Sequence, residues 1–172
     1  MPVTAQYLGM QLTIDDLDRE NLAYFKHCAD HKFHLQNCKQ CNLLRYPPTT
    51  ACPWCASPDA TWQPVEARGA VHSYTEVHHA IQPAFKAATP YLILLVDLDT
   101  QKGKPTEHEA LRVAGNLVTP DGKLAPAGLV QSVGIGARVR MVFADAGAGI
   151  AVPLWTIDES AAQPGKPWRY PE

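Results

Sequence analysis

The chain has 172 residues, 46 % of them hydrophobic and 19 % charged, with a formal net charge of −2. That balance belongs to a globular domain with its own core and excludes a disordered or strongly basic nucleic-acid-binding polymer. No apolar run approaches the roughly 20 residues that span a bilayer, and the N-terminus lacks a basic, apolar leader, so a cytoplasmic chain is expected.

Thr13-Ile14-Asp15-Asp16 has the signature of a helix start, a hydroxyl cap followed by acids in the first turn. Ile14, Leu17, Tyr24, Phe25 and Cys28 then share one side of a helical wheel. Residues 1–31 therefore read as an N-terminal helical segment, with a charge of −3, ending near His31. Its aromatic stripe suits packing on its own domain or on a partner subunit. Residues 32–64 carry +2, show little periodicity, and are too few to bury a core alone. Something must staple them.

The staple lies in "CKQCNLLRYPPTTACPWC". Cys38, Cys41, Cys52 and Cys55 form two Cys-x-x-Cys knuckles ten residues apart. Each knuckle offers two thiolates from a tight turn, and four thiolates make the tetrahedron that zinc prefers. The Cys-Pro-Trp-Cys knuckle resembles those of zinc ribbons and rubredoxins. A redox Cys-Pro-x-Cys pair would need a helix behind it, which "ASPDATWQP" does not build. Iron is the alternative occupant of such a site. With four protein donors no coordination position remains for water or substrate, so the site is structural. Sites of this kind contribute on the order of 10–16 kcal/mol in peptides, enough to order a segment without a core. A glycine commonly follows each knuckle; here Asn42 and Ala56 stand in its place. Asn tolerates the left-handed backbone, and Ala does so under strain. Cys28, apart on the helix, reads as a small buried hydrophobe.

From Val65 the texture becomes β. Residues 69–80, 90–99, 111–118, 138–146 and 149–157 alternate or run apolar over strand lengths, with turn-rich pieces between them. Five strands over residues 65–157 predict a small closed or half-closed barrel. Residues 100–110 read as an exposed hairpin loop. The tail, 158–172, is proline-rich, and its Trp168, Arg169 and Tyr170 mark either a loose terminus or an interface anchor.

"FHLQNCKQCNLLRYPPTTACPWC", "WQPVEARGAVHSYTEVHHA", "PYLILLVDLD" and "RVAGNLV" together resemble a known family. Its members join a rubredoxin-like zinc ribbon to an OB-fold and are associated with acyl-CoA enzymes. The resemblance covers residues 20–157. It implies a mainly β fold: an N-terminal helix, a zinc ribbon, then a five-stranded OB-fold barrel. It further implies a non-catalytic accessory subunit in a hetero-oligomer. The partner would be a thiolase-fold protein (thiolase/acyltransferase type) or a hydratase/aldolase subunit, and acyl-CoA would lie close by. Arg45 in the ribbon, and Phe85 and Tyr91 around the 80–91 loop, are the candidates for a CoA or partner surface.

The remaining residues suggest no catalytic set. His78 and His79 point to opposite faces of a strand. His27 and His31, at i and i+4, could form a helical metal pair but lack an acidic third ligand. Asp97 and Asp99 read as solvated acids at a strand end. Neither a Gly-x-Ser-x-Gly elbow nor a His-Glu-x-x-His motif occurs. Two alternatives stay open. The first is a single-stranded nucleic-acid module stacking bases on Tyr74, Phe85 and Tyr91, disfavoured by the balanced charge of the barrel region. The second is a free-standing acyl-CoA or fatty-acid carrier.

Overall fold

The computed structural model describes residues 1–171. The chain divides into two compact units. The first comprises Met1–Glu66, Thr100–Leu111 and Phe143–Val152; the second comprises Ala67–Asp99, Arg112–Val142 and the chain from Pro153 onward. Among the described residues no helix is long and apolar enough to cross a membrane.

The first unit opens with a hairpin, β1 (Val3–Tyr7) and β2 (Met10–Ile14), in register from Val3↔Ile14 to Tyr7↔Met10. Its two-residue turn, Leu8-Gly9, takes φ of 50° and 76°, the left-handed pair that matches the twist of adjoining strands. This corrects the expected helix start. Thr13 and Ile14 belong to β2, because Met10-Gln11-Leu12-Thr13-Ile14 alternates with period two. Asp15 closes a side-chain turn onto the Leu17 amide at 2.9 Å. The true N-cap is Asp18, whose carboxylate accepts from the Asn21 amide at 3.3 Å, and helix α1 runs over Arg19–Ala29. Tyr24 and Cys28 are buried as expected, whereas Leu17 is 82 % exposed. Ile14 and Phe25 instead pack on a small core of Ala5, Ala146 and Ile150.

Three further strands complete that unit: β3 (His34–Cys38), the two-residue β4 (Leu44–Arg45) and β5 (Ala60–Pro64), in the order β4-β3-β5. Phe33, Leu35, Cys38, Leu44 and Cys52 are buried here.

The main sheet has the order β10-β9-β6-β7-β8. Its strands are β6 (Arg68–Val77), β7 (Tyr91–Leu98), β8 (Arg112–Asn116), β9 (Arg138–Gly147) and β10 (Ile150–Ile157). Each falls within about three residues of the expected run. Two short helices punctuate them, α2 (Pro83–Lys86) and α3 (Ala127–Ser132). The ladder does not close into a full barrel. Among the described residues its edges meet only at a parallel bridge between Leu117 and Trp155, where the Val118 amide donates to the Trp155 carbonyl at 2.8 Å. Val71, Leu92, Leu94, Val96, Val113, Val139, Leu154 and Trp155 form the core of the second unit, each at most 1 % exposed.

The tail is strapped down. Trp168 exchanges two backbone hydrogen bonds with Ile135, at 2.8 and 3.1 Å. The strap passes so close to Gly134 that a Cβ there would lie 2.3 Å from the Trp168 carbonyl oxygen. The Arg169 guanidinium donates to the Val130 carbonyl at 2.7 Å, pairs with Glu76 and lies over the Tyr74 ring. At the strap's start, buried Asp158 accepts from the Ser160 hydroxyl at 2.6 Å and pairs with Arg68. The Ser160 hydrogen bond holds the Asp158 carboxyl below the ordinary carboxylate range, against its burial. A depressed folded pKa contributes stability that is full above the ordinary value and is lost as pH falls through the lowered one. The wild-type advantage over Asp158→Asn is therefore expected at neutral pH and vanishes in acid. Denaturant titrations of both chains at several pH values read it directly; a constant difference down to acid contradicts it.

Candidate metal centre

The two knuckles are built alike. The Asn42 amide donates to the Cys38 carbonyl and the Ala56 amide to the Cys52 carbonyl, both at 2.9 Å. In return the Cys38 amide donates to the Leu43 carbonyl at 3.0 Å and the Cys52 amide to the Ser57 carbonyl at 2.8 Å. Asn42 and Ala56 have φ of 58° and 60°. They are the left-handed residues that the missing glycines would have been. For alanine this conformation costs about 1–2 kcal/mol. Ala56→Gly should remove that strain while giving back about 0.4–1 kcal/mol of unfolded-chain entropy. The expected outcome is a small gain in thermal stability with metal content unchanged; a loss of stability would count against the strain.

The thiols converge. All four Sγ atoms lie within 4.8 Å of one another. Across the knuckles, the Cys38 and Cys55 sulfurs lie 3.5 Å apart and those of Cys41 and Cys52 3.6 Å apart. A tetrahedron of thiolates about 2.3 Å from a zinc ion has sulfur–sulfur edges of about 3.8 Å, so the cage has the right size. Its cysteines are free thiols, and among the described residues they form the one cluster of three or more His, Cys, Asp or Glu able to hold a metal ion. Backbone amides point into the cage in the same pattern on each side. Those of Cys41 and Gln40 reach the Cys38 sulfur, and those of Trp54 and Cys55 reach Cys52. Leu43 serves Cys41 and Ser57 serves Cys55. The Cys41 amide is the main reason that the Cys38 thiol is pulled down to about 6. Amides aimed at sulfur are what a negatively charged thiolate cage requires. The four donors are all protein groups, so a tetrahedral ion here is fully coordinated.

Arg45, expected on a CoA or partner surface, lies inside the ribbon at 2 % exposure. Its Nε donates to Gln36 Oε1 at 3.0 Å, and its Nη1 lies 3.5 Å from the Ser57 carbonyl oxygen. Gln36 Oε1 also accepts the Thr49 amide at 2.9 Å. The guanidinium is thus committed to bracing the second knuckle. Gln36 and Ser57, both buried, are functional partners the sequence did not mark. Gln101 is a third: its side-chain amide takes the Leu44 N–H at 2.6 Å and donates to the Leu44 carbonyl at 2.9 Å. Nothing local in a polar loop announces a partner 57 residues away.

Phe85 and Tyr91 do come together, with ring centroids 5.1 Å apart. Phe85 is half-buried, Tyr91 is buried, and Ile81 nearby in sequence is 87 % exposed. The histidines disperse. His27 stacks on His34 at 4.2 Å, while His31 lies beyond α1 on the Phe143 ring and 3.1 Å from Asp145. Asp97 and Asp99 are not simply solvated: Asp97 holds His72 at 3.0 Å and Arg112 at 2.9 Å, and Asp99 pairs with Arg138. Cys28 is fully buried, which drives its thiol up to about 12.

Cage and sheet together define a chain made of a four-cysteine, zinc-ribbon-like segment and an OB-fold. Residues 62–144 match the family model described as "ChsH2, C-terminal OB-fold domain". Over 141 residues, 81 % of its length, the chain is 32 % identical to a Thermomonospora curvata protein named probable enoyl-CoA hydratase alpha subunit. It spans only 38 % of that relative. A chain from a solved structure titled "Ltp2-ChsH2(DUF35) aldolase" matches with a TM-score of 0.63 at 28 % identity, covering 84 % of this chain and 98 % of the other.

Proposed function

We propose that this chain is a non-catalytic, zinc-stapled subunit that docks on the catalytic subunit of an acyl-CoA-processing enzyme, in a reducing, cytoplasmic compartment. The observation that carries the reading is the thiolate cage, whose donors all come from the protein and leave the metal no site for substrate. Zinc is favoured over iron because nothing in a structural role calls for redox chemistry. Two relatives support the partner class: one is named as a hydratase subunit, the other stands in an aldolase structure. A thiolase-fold catalytic subunit is the narrower version of the same proposal. The 80–91 loop, with Ile81 in solvent and Phe85 against Tyr91, offers the apolar contact such docking needs.

The test is reconstitution. The purified chain is mixed with a thiolase-fold or hydratase subunit encoded beside it, and complex formation is followed by size-exclusion chromatography. Acyl-CoA turnover is measured for each component and for the mixture. The expected result is a stable complex, activity in the catalytic subunit or the mixture, and none in this chain alone. Turnover of a CoA thioester by the isolated chain overturns the proposal.

A further inference from the structure

Two of the four donors, Cys41 and Cys55, are only half-buried, and Cys41 is the one that lines a cavity at the 100–104 turn. That cavity, of about 430 Å³, is lined also by Asn37, Asn42, Gln63, Thr100, Gln101 and Lys104. One wall of that cavity is the first knuckle, and the other is the turn at residues 100–104. Between the two walls runs one connection of unusual form. Leu44 points its N–H and its carbonyl away from β3, and the Gln101 carboxamide takes both, at 2.6 and 2.9 Å. A single side chain thus stands in for a neighbouring β-strand on the open edge of β4. Leu44 directly follows Leu43, whose amide holds the Cys41 sulfur.

Gln101 is itself held under strain. Its φ is 66°, a left-handed conformation that a glutamine seldom takes. The turn is closed by Lys104 N–H to the Gln101 carbonyl at 3.2 Å and by Gly103 N–H to the Glu109 carbonyl at 2.7 Å. Backbone strain of this kind persists only where surrounding contacts over-determine it, and it concentrates at switch points.

We propose that the 100–104 turn is the gate of a metal-exchange port and that Gln101 is its latch. This rests on the metal reading above. With the latch closed, the Leu43–Leu44 segment is fixed and the Leu43 amide stays on the Cys41 thiolate. With it open, that segment loses its outer partner, and Cys41 is the first donor an incoming ligand can replace. Lys104 gives the port a positive charge, so the acceptor or supplier of the ion is an anionic one, with carboxylate or thiolate donors. Gln101 is a positioning residue: it touches no donor and acts through the backbone of Leu44.

The experiment uses the full chain loaded with zinc and an excess of a chromogenic pyridylazo chelator. Gln101→Ala and Gln101→Asn are expected to release zinc about 10- to 100-fold faster than wild type, the range in which outer-shell partners tune metal sites. Gln101→Asn guards against a folding failure, because asparagine tolerates the left-handed backbone while being too short to reach Leu44. Gln101→Glu keeps the acceptor for the Leu44 N–H, loses the donor, and should fall between. Hydrogen exchange supplies the readout that general destabilisation would not give: the Leu43 and Leu44 amides should open in the variants while Cys52 and Ser57 stay protected. Unchanged release from fully loaded Gln101→Ala and Gln101→Asn chains overturns the latch, as does equal loosening of both knuckles. A chain that never carries stoichiometric metal overturns the underlying reading instead, and is seen before any rate is measured.

Discussion

Cys38→Ser is expected to strip the chain of its metal and unfold the ribbon. Cys38 is fully buried, and its sulfur lies 3.5 Å from that of Cys55, so it is central to the cage. A serine hydroxyl is a poor zinc donor, and the three remaining thiolates leave an open position. The strands β3, β4 and β5 bury only Leu35, Cys38 and Leu44 as apolar side chains, so a metal in the cage would supply most of what orders them. Elemental analysis should find well under one metal per chain, and amide exchange across residues 34–64 should lose its protection. The core around Trp155 keeps its own buried contacts and should remain protected. Cys28→Ala is the control. It removes a buried thiol outside the cage, so the variant should keep full metal content at a modest cost in stability. A Cys38→Ser chain that retains one tightly held ion contradicts a four-thiolate site.

Trp155→Ala should be the most damaging single change in the second unit. The indole is fully buried, and its Nε1 donates to the Val113 carbonyl at 3.2 Å. Gly115 is flat against it: a Cβ there would lie 2.9 Å from the indole Cδ1. The Trp155 backbone also makes the bridge that joins the two edges of the sheet. Truncating a buried tryptophan costs about 3–5 kcal/mol. Trp155→Phe keeps most of the apolar contact but leaves the Val113 carbonyl without its donor, for about 1–3 kcal/mol. Urea denaturation followed by circular dichroism should rank wild type above Trp155→Phe above Trp155→Ala. A Trp155→Ala chain as stable as wild type would show that sheet closure does not depend on this residue.

Much of this architecture was legible because the signals were local. Alternation and turn residues placed the five main strands, and the spacing of Cys38, Cys41, Cys52 and Cys55 announced the cage. The need for left-handed backbone at Asn42 and Ala56 followed from the knuckle itself. What was illegible depended on partners distant in sequence. Thr13 and the acids after it outweighed the weaker period-two pattern of β2, whose stability comes from pairing with β1 and from the Ala5, Ala146 and Ile150 cluster. Arg45 read as a surface residue because arginine is rarely buried without partners; its partners, Gln36 and Ser57, carry no motif. The pairing of Asp97 with His72 and Arg112 arises only once β6, β7 and β8 lie side by side. Partial closure at Leu117 and Trp155 is likewise a property of the assembled sheet.

X-ray absorption at the metal edge probes the coordination shell without reference to any partner or substrate. The expected spectrum is a single shell of four sulfur atoms at about 2.3 Å. An additional oxygen or nitrogen neighbour at about 2.0–2.1 Å would mean an open position on the ion, and the metal could then no longer be read as a closed structural staple.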